Sequence, residues 1–423
     1  MFSQINMDKN FLKEYGELCI NYNVTDVAMG CPDYKPASFV ENALNGIVHN
    51  HRVFEHQYTD PNGYPSLVHN FSKVYSQLLN KNLTKEEILI TAGSSEALFC
   101  AVLSLVSPGD EVIIFEPFFM VFETLVKMAQ GFPKYSKLKW MNINPKNQTS
   151  ADWKVDQEEL SQLFNEKTKV VIVNTPHNPT GKVFTYEELT IIADLCKKWD
   201  VICIADEVYE HMVYKPCKHI RIATLPDMFE RTVTIGACEK SFGVTGWQVG
   251  FAYGDQRLIE KLQTLHQYTV FSACTPIQAA FAKIFQEVYD RMMNSKSYFE
   301  LFGEDLKEKR DYFLKNLHGT DFNPIVPEGG MYVMIDISKH VAGTDLSEEQ
   351  DTFLDEKFIK RLVKKHSLKV FPLTISCTKD NKKKFETFIR ICFVKELSTL
   401  DSCLSILKRF GSVEQELKEN IAT

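Results

Sequence analysis

The chain has 423 residues, of which 44% are hydrophobic and 24% charged, and carries a formal net charge of −7. That length exceeds what one hydrophobic core usually holds together, so two domains are expected, and the composition is globular rather than disordered or fibrous. The negative balance argues against nucleic acid as the main partner, because phosphate-backbone affinity needs clustered Lys and Arg.

At the N-terminus, MFSQINMDKNFLKEYGEL carries Asp8 and Glu14 and lacks an Arg-rich amphipathic pattern, so neither a secretory signal nor a transit peptide is expected. From residue 88 onward, short apolar strands alternate with amphipathic helices, the pattern of a largely parallel sheet covered on both faces. Strands are predicted at 88–91, 111–116, 169–174, 201–206, 232–237 and 250–254, and helices at 95–106, 119–129 and 187–199. Thr185 followed by Glu188 predicts a capping box at the start of the third helix. After about residue 298 the pattern changes to a helix near 306–317, strands at 331–337 and 388–394, and helices at 356–365 and 399–410. The expected division is a large α/β domain over 40–297 and a smaller α+β domain made of 1–39 and 298–423. The densest basic stretch, Lys379 to Lys384, contains Asp380 and reads as a solvated face. Eleven cysteines without metal-ligand spacing read as free thiols in a reducing compartment, so a cytoplasmic protein without a metal site is expected. No apolar run reaches the length of a membrane span.

Ligands of open α/β sheets bind beyond the carboxyl ends of the strands, and the unusual residues fall there. Asp206 closes the apolar run VICIAD, where a carboxylate is costly unless a cation or donor meets it. Taken alone it reads as readily as a helix cap or a structural ion pair. Tyr209 follows three residues later. Asn174-Thr-Pro-His-Asn178-Pro ends another strand, with prolines that restrict the loop. A lysine is usually solvated, but Lys240 lies just past an apolar strand and before Phe242, Gly243 and Trp247, a setting that lowers an amine pKa. Arg390 interrupts the apolar strand FIRICF, either as a buried structural pair or as a fork awaiting a carboxylate. Together these residues suit pyridoxal 5'-phosphate, which needs a lysine for its aldehyde and a carboxylate at its pyridine nitrogen. It also needs donors at its phenolic oxygen, a ring to stack on, and an anion cup. Phe119 in EPFF offers the ring, and Gly93, Ser94 and Ser95 lead into a helix whose free N–H groups favour an anion.

Over roughly residues 20 to 410 the chain resembles the fold-type I aminotransferases, nearest the kynurenine aminotransferase and glutamine transaminase K (cysteine-S-conjugate β-lyase) branch. The stretches NTPHNPTGKVF, ADEVYEHMVY, TGWQVGFAYG and FIRICFVKE carry the likeness. The resemblance implies a large domain with a mostly parallel seven-stranded sheet and a Schiff base at Lys240. It places Asp206 on the pyridine nitrogen, Asn178 and Tyr209 on the phenolic oxygen, and Phe119 on the ring. Arg390, with Asn174 and Asn178, would hold the substrate α-carboxylate, and Gly30 lies in the segment that covers the substrate. Tyr58 and Phe271 match residues that reach across to a partner subunit, which implies a homodimer. The implied activity is transfer of an amino group from kynurenine, glutamine, aromatic or sulfur amino acids to a 2-oxo acid, with β-elimination as a side reaction. Tyr15, Tyr22, Phe119, Phe122 and Phe271 suggest an aromatic substrate pocket.

The chain also departs from this pattern. Ala237-Cys238-Glu239 stands where the family has a Ser-Ala-Gly-like run whose serine binds phosphate, and Gln248 replaces a basic phosphate ligand. A second reading follows from the altered cup: a member of the same fold that binds the cofactor weakly and does not catalyse.

Overall fold

The computed structural model describes residues 9–141, 147–294 and 296–421. The part of the N-terminal reading that rests on Asp8 lies outside the described residues. Apolar runs build a seven-stranded sheet from β1 (Ile88–Thr91), β2 (Glu111–Glu116), β3 (Phe132–Lys137), β4 (Thr168–Asn174), β5 (Ile202–Asp206), β6 (Thr232–Ala237) and β7 (Gly250–Gly254). Their spatial order is β1-β7-β6-β5-β4-β2-β3. β2 to β6 pair in parallel, whereas β7 runs antiparallel between β6 and β1. The six sequence-based strands agree to within one residue. β3, with the sequence FPKYSK, escapes sequence reading because it contains Pro133 and lacks an apolar run. Its place at the sheet edge is where proline is tolerated.

Alternation along β2 shows why both sheet faces are buried. Val112 and Ile114 join one core while Ile113 and Phe115 join the other, as the two-residue period of a strand requires. The helices used below are α1 (Lys9–Asn21), α2 (Ser38–Val48), α3 (Pro65–Leu79), α4 (Ser94–Leu105), α5 (Val121–Met128), α6 (Tyr186–Trp199), α7 (Cys238–Ser241), α8 (Gln256–Thr269), α9 (Thr275–Asn294), α10 (Tyr298–Leu317), α11 (Leu354–His366) and α12 (Leu397–Ile421). α4, α5 and α8 cover the Ile114 face and α6 the opposite one. The predicted capping box is formed: the Thr185 hydroxyl accepts from the Glu188 N–H (3.3 Å), and the Thr185 N–H donates to the Glu188 carboxylate (3.0 Å). α10 begins eight residues before the sequence-based estimate, at a Ser297 cap whose hydroxyl accepts from the Phe299 N–H. Gly303 interrupts the apolar spacing there because a Cβ would come within 3.3 Å of the His211 carbonyl.

A second, four-stranded sheet contains β8 (Asn323–Ile325), β9 (Tyr332–Asp336), β10 (Phe371–Pro372) and β11 (Phe388–Cys392) in the order β8-β9-β11-β10. α1, α10, α11 and α12 pack on it through Tyr15, Leu306, Ile359 and Leu404. The N-terminal segment joins this body by pairing Thr25 with Leu368, and the Cys392 N–H donates to the Val27 carbonyl (2.7 Å). In the basic stretch, Lys383 and Lys384 are exposed, but Lys382 is buried with its ammonium over the Phe353 ring. Among the described residues no helix is long and apolar enough to cross a membrane.

Candidate active site

Sheet register sets the floor of the site. Asn174 at the end of β4 lies opposite Asp206 at the end of β5, and Ala237 at the end of β6 lies opposite Gly250 of β7, which in turn lies opposite Thr91 of β1. The residues after these ends are therefore neighbours: Gly93 to Ser95, Asn178, Tyr209 and Lys240. Gly250 has to be glycine here, since a Cβ would fall 2.4 Å from the Ser94 nitrogen.

Asp206 is buried and accepts only a long bond from the Val208 N–H (3.4 Å). Among the described residues no cation pairs with it, and burial raises its pKa from 3.8 to about 7, with neighbouring Glu207 pushing the same way. Tyr209 packs edge-on against Tyr332, 6.3 Å between ring centres, and burial keeps its hydroxyl protonated. Asn174 donates to the Asp206 carbonyl (3.0 Å) and accepts from the Asn178 N–H (2.7 Å), so it braces the loop.

Lys240 is half-buried, and its ammonium donates to the Gly30 carbonyl (3.2 Å). Desolvation lowers its pKa, with Glu239 opposing. Lys182 is a second lysine lowered by burial, but it forms a 2.8 Å ion pair with Glu188. Lys240 has no such pair among the described residues, which leaves its amine available for chemistry.

Arg390 is buried on β11. One guanidinium nitrogen donates to the Asn178 side-chain oxygen (2.8 Å) and the other to the Ala28 carbonyl (3.4 Å). Its Nε is buried without a hydrogen-bond partner. Rings sandwich the group, Tyr332 at 3.9 Å and Phe371 at 4.0 Å. No carboxylate lies within ion-pair distance of it among the described residues. The segment from Ala28 to Cys31 thus touches both Arg390 and Lys240, and Gly30 packs so closely that a Cβ would meet the Tyr332 hydroxyl at 2.0 Å.

Gly93, with φ +78°, enters α4 without a capping side chain. Ser95 is exposed and Ser94 half-buried. Gln248 stands beside them, its side-chain oxygen 2.8 Å from the position of a Cβ on Gly93, but its amide donates to the Thr245 carbonyl (2.6 Å). Phe119 is half-buried and meets Phe122 edge-on. Tyr58 and Phe271 are exposed and contact each other, 5.4 Å between ring centres. Within this chain they make no hydrogen bond or ring contact with Lys240, Asp206 or Arg390.

Two of the proposed pocket aromatics need correction. Tyr15 is buried, with its hydroxyl bonded to both backbone groups of Val370 (2.9 and 3.3 Å), and Phe122 is 2% exposed inside the Ile114 core. Their apolar rings are used for packing. Tyr332 and Phe371, which flank Arg390, were not singled out from sequence; their only signal is alternation on strands that pair with β11.

The sequence pattern of the family described as aminotransferase class I and II matches residues 23–406. The chain belongs to the class I and II aminotransferases. Its activity is accordingly amino-group transfer, and the family implies pyridoxal phosphate as cofactor. Kynurenine--oxoglutarate transaminase 3 of Bos taurus is 41% identical over 408 residues, covering 96% of this chain and 89% of its own length. Bna3p of Saccharomyces cerevisiae superposes with a TM-score of 0.88 at 28% identity, covering 95% of this chain and 96% of its own. YbdL of Escherichia coli, for which a methionine aminotransferase function is identified, gives 0.81 at 25% identity, covering 96% and 97%.

Proposed function

We propose that this aminotransferase uses pyridoxal 5'-phosphate to exchange the amino group of kynurenine, glutamine, or an aromatic or sulfur amino acid with a 2-oxo acid. One observation carries the reading: among the described residues Asp206 and Arg390 are buried charges without ion-pair partners, and Lys240 has no carboxylate partner either. Such charges are costly unless a ligand compensates them. A pyridinium N–H suits Asp206, and an α-carboxylate suits the Arg390 fork.

Lys240, Asp206, Tyr209, Asn178, Phe119 and the first N–H groups of α4, bordered by Gln248, would hold the cofactor, which when bound supplies an electron sink for the pair released at the substrate Cα. Arg390 binds the α-carboxylate, and Tyr332 and Phe371 fix the plane of its guanidinium. Asn174 holds the loop that carries Asn178, and Gly30 closes over Lys240. The Lys240 amine, made less basic by burial, takes the proton from Cα of the amino donor and delivers one to Cα of the amino acid formed from the 2-oxo acid. The names of the relatives support kynurenine and methionine among the donors.

We also take the chain as a homodimer, with residues 40–297 as one domain and 1–39 with 298–423 as the other. Exposed Phe54, Tyr58, Tyr268 and Phe271 support the shared interface, and light scattering tests it. Eleven free cysteines support a cytoplasmic location. The reading is tested by loading the protein with pyridoxal phosphate, reducing with borohydride and mapping the adduct. A pyridoxyl group on Lys240 is expected; no visible band at saturating cofactor would refute it.

A further inference from the structure

The residue before the site lysine is an acid. Glu239, on α7, is only 2% exposed, and its Oε2 has no hydrogen-bond partner. Its carboxyl faces the N–H of Ser94, the first residue of α4, as well as its own N–H. That places a buried carboxyl with one unsatisfied oxygen at the N-terminus of a twelve-residue helix.

The surrounding groups are few. Lys240 is the charge that reaches the carboxyl. Cys238 on the same turn is a buried thiol whose ionisation is pushed up first by burial and then by Glu239. On α4, the first-turn acid Glu96 is occupied by His266 of α8 (3.0 Å) and by the Ala92 N–H (3.0 Å). Ala237 brings no hydroxyl to this opening, and the Gln248 amide is turned to Thr245. An ionised Glu239 would compete with a phosphate for the same N–H and repel it, whereas a neutral carboxyl would donate to it.

We propose that Glu239 couples cofactor binding to a proton: the phosphate binds at the N-terminus of α4 with the Glu239 carboxyl neutral and donating its O–H to a phosphate oxygen. The proposal rests on the pyridoxal phosphate reading above and specifies how that site holds its anion. Burial raises the carboxyl pKa from 4.5 to about 7, so the proton is available near neutrality. Above that pH one proton enters with the phosphate and leaves with it, and no covalent bond changes. Affinity then falls as pH rises, by up to about tenfold per pH unit.

The test uses the full-length apoprotein, with pyridoxal phosphate and phosphate-free pyridoxal as probes. Dissociation constants are measured by spectral titration from pH 6 to 8.5 for wild type, Glu239→Gln and Glu239→Gly. Titration calorimetry in two buffers of different ionisation enthalpy counts protons at pH 8. Titration of the phosphate itself is common to all three proteins and cancels, and the change that loss of Glu239 makes in Lys240 acts on pyridoxal as much as on pyridoxal phosphate, so the pyridoxal comparison removes it. Expected results are proton uptake by wild type beyond that of both variants, about tenfold tighter pyridoxal phosphate binding by Glu239→Gln at pH 8, and no such gain for pyridoxal. Variants that keep the wild-type pH profile, or a Glu239→Gln protein that binds no tighter at pH 8, overturn the proposal. Should Glu239→Gln fail to fold, Glu239→Gly still reports whether the pH dependence and the extra proton uptake disappear with the carboxyl. Loss of the Lys240 adduct in wild type would instead overturn the cofactor reading itself.

Discussion

Asp206→Asn removes one buried charge while keeping the side-chain shape, and its effect on the apoprotein follows from the isolation of that carboxylate. An acid raised from 3.8 to about 7 in the folded state binds its proton more tightly folded than unfolded. Its contribution is therefore fully present below about pH 4 and is lost as pH rises through about 7. At about 1.4 kcal/mol per pH unit, the wild-type apoprotein carries a penalty of roughly 2 kcal/mol at pH 5 and about 4 kcal/mol above pH 7. The asparagine has no charge to bury. Its extra N–H group costs about 1–3 kcal/mol if unpaired, equally at both pH values. The stability of the variant relative to wild type should thus improve by roughly 2–3 kcal/mol between pH 5 and pH 8. Urea denaturation of both apoproteins at the two pH values measures this difference, and contributions from other titrating groups such as Asp355, also raised to about 7 by burial, cancel. A gap that is the same at pH 5 and pH 8 would refute the assignment of Asp206 as an unpaired buried acid. With cofactor the sign reverses: loss of a charge-assisted bond to the pyridine nitrogen should weaken binding by roughly ten- to a hundredfold.

Arg390→Lys removes the planar fork that Tyr332 and Phe371 sandwich; steady-state kinetics should show KM for the amino acid up by roughly ten- to a hundredfold, with the visible cofactor band unchanged. Gly250→Ala drives a methyl into the Ser94 backbone, so thermal denaturation should register a loss of about 1–3 kcal/mol and spectral titration a weaker cofactor site. Gln248→Lys puts a cation beside Gly93 and should tighten cofactor binding by about tenfold; an unchanged dissociation constant would place residue 248 away from the phosphate.

Much of the large sheet is legible in sequence because its strands are buried on both faces and so read as continuous apolar runs. β3 is not, because an edge strand needs no such run and admits Pro133. Helix starts follow where a side chain performs the capping, as Thr185 does, and slip where it does not stand out, as at Ser297 before the irregular first turns of α10. Of the candidate site residues, Asp206 and Arg390 can be named from sequence because each is a charge closing or interrupting an apolar strand, and Lys240 and Asn178 because they follow closely on a strand end. Tyr15 and Phe122 mislead because an aromatic ring suits a core as well as a pocket, and only burial separates the two.

By itself, then, the sequence determined which strands are buried, where several of them end, and which charged groups wait at those ends. Only the tertiary structure decided which of the charges already have partners. Among the described residues Lys182 finds Glu188, whereas Asp206 and Arg390 find no opposite charge and Lys240 finds a carbonyl. It also turned Glu239 from an odd neighbour of the lysine into an acid at the mouth of α4. The physical reason is range. Burial propensity and capping are local and can be read along the chain, but whether a buried charge is satisfied depends on groups brought from other strands by sheet register.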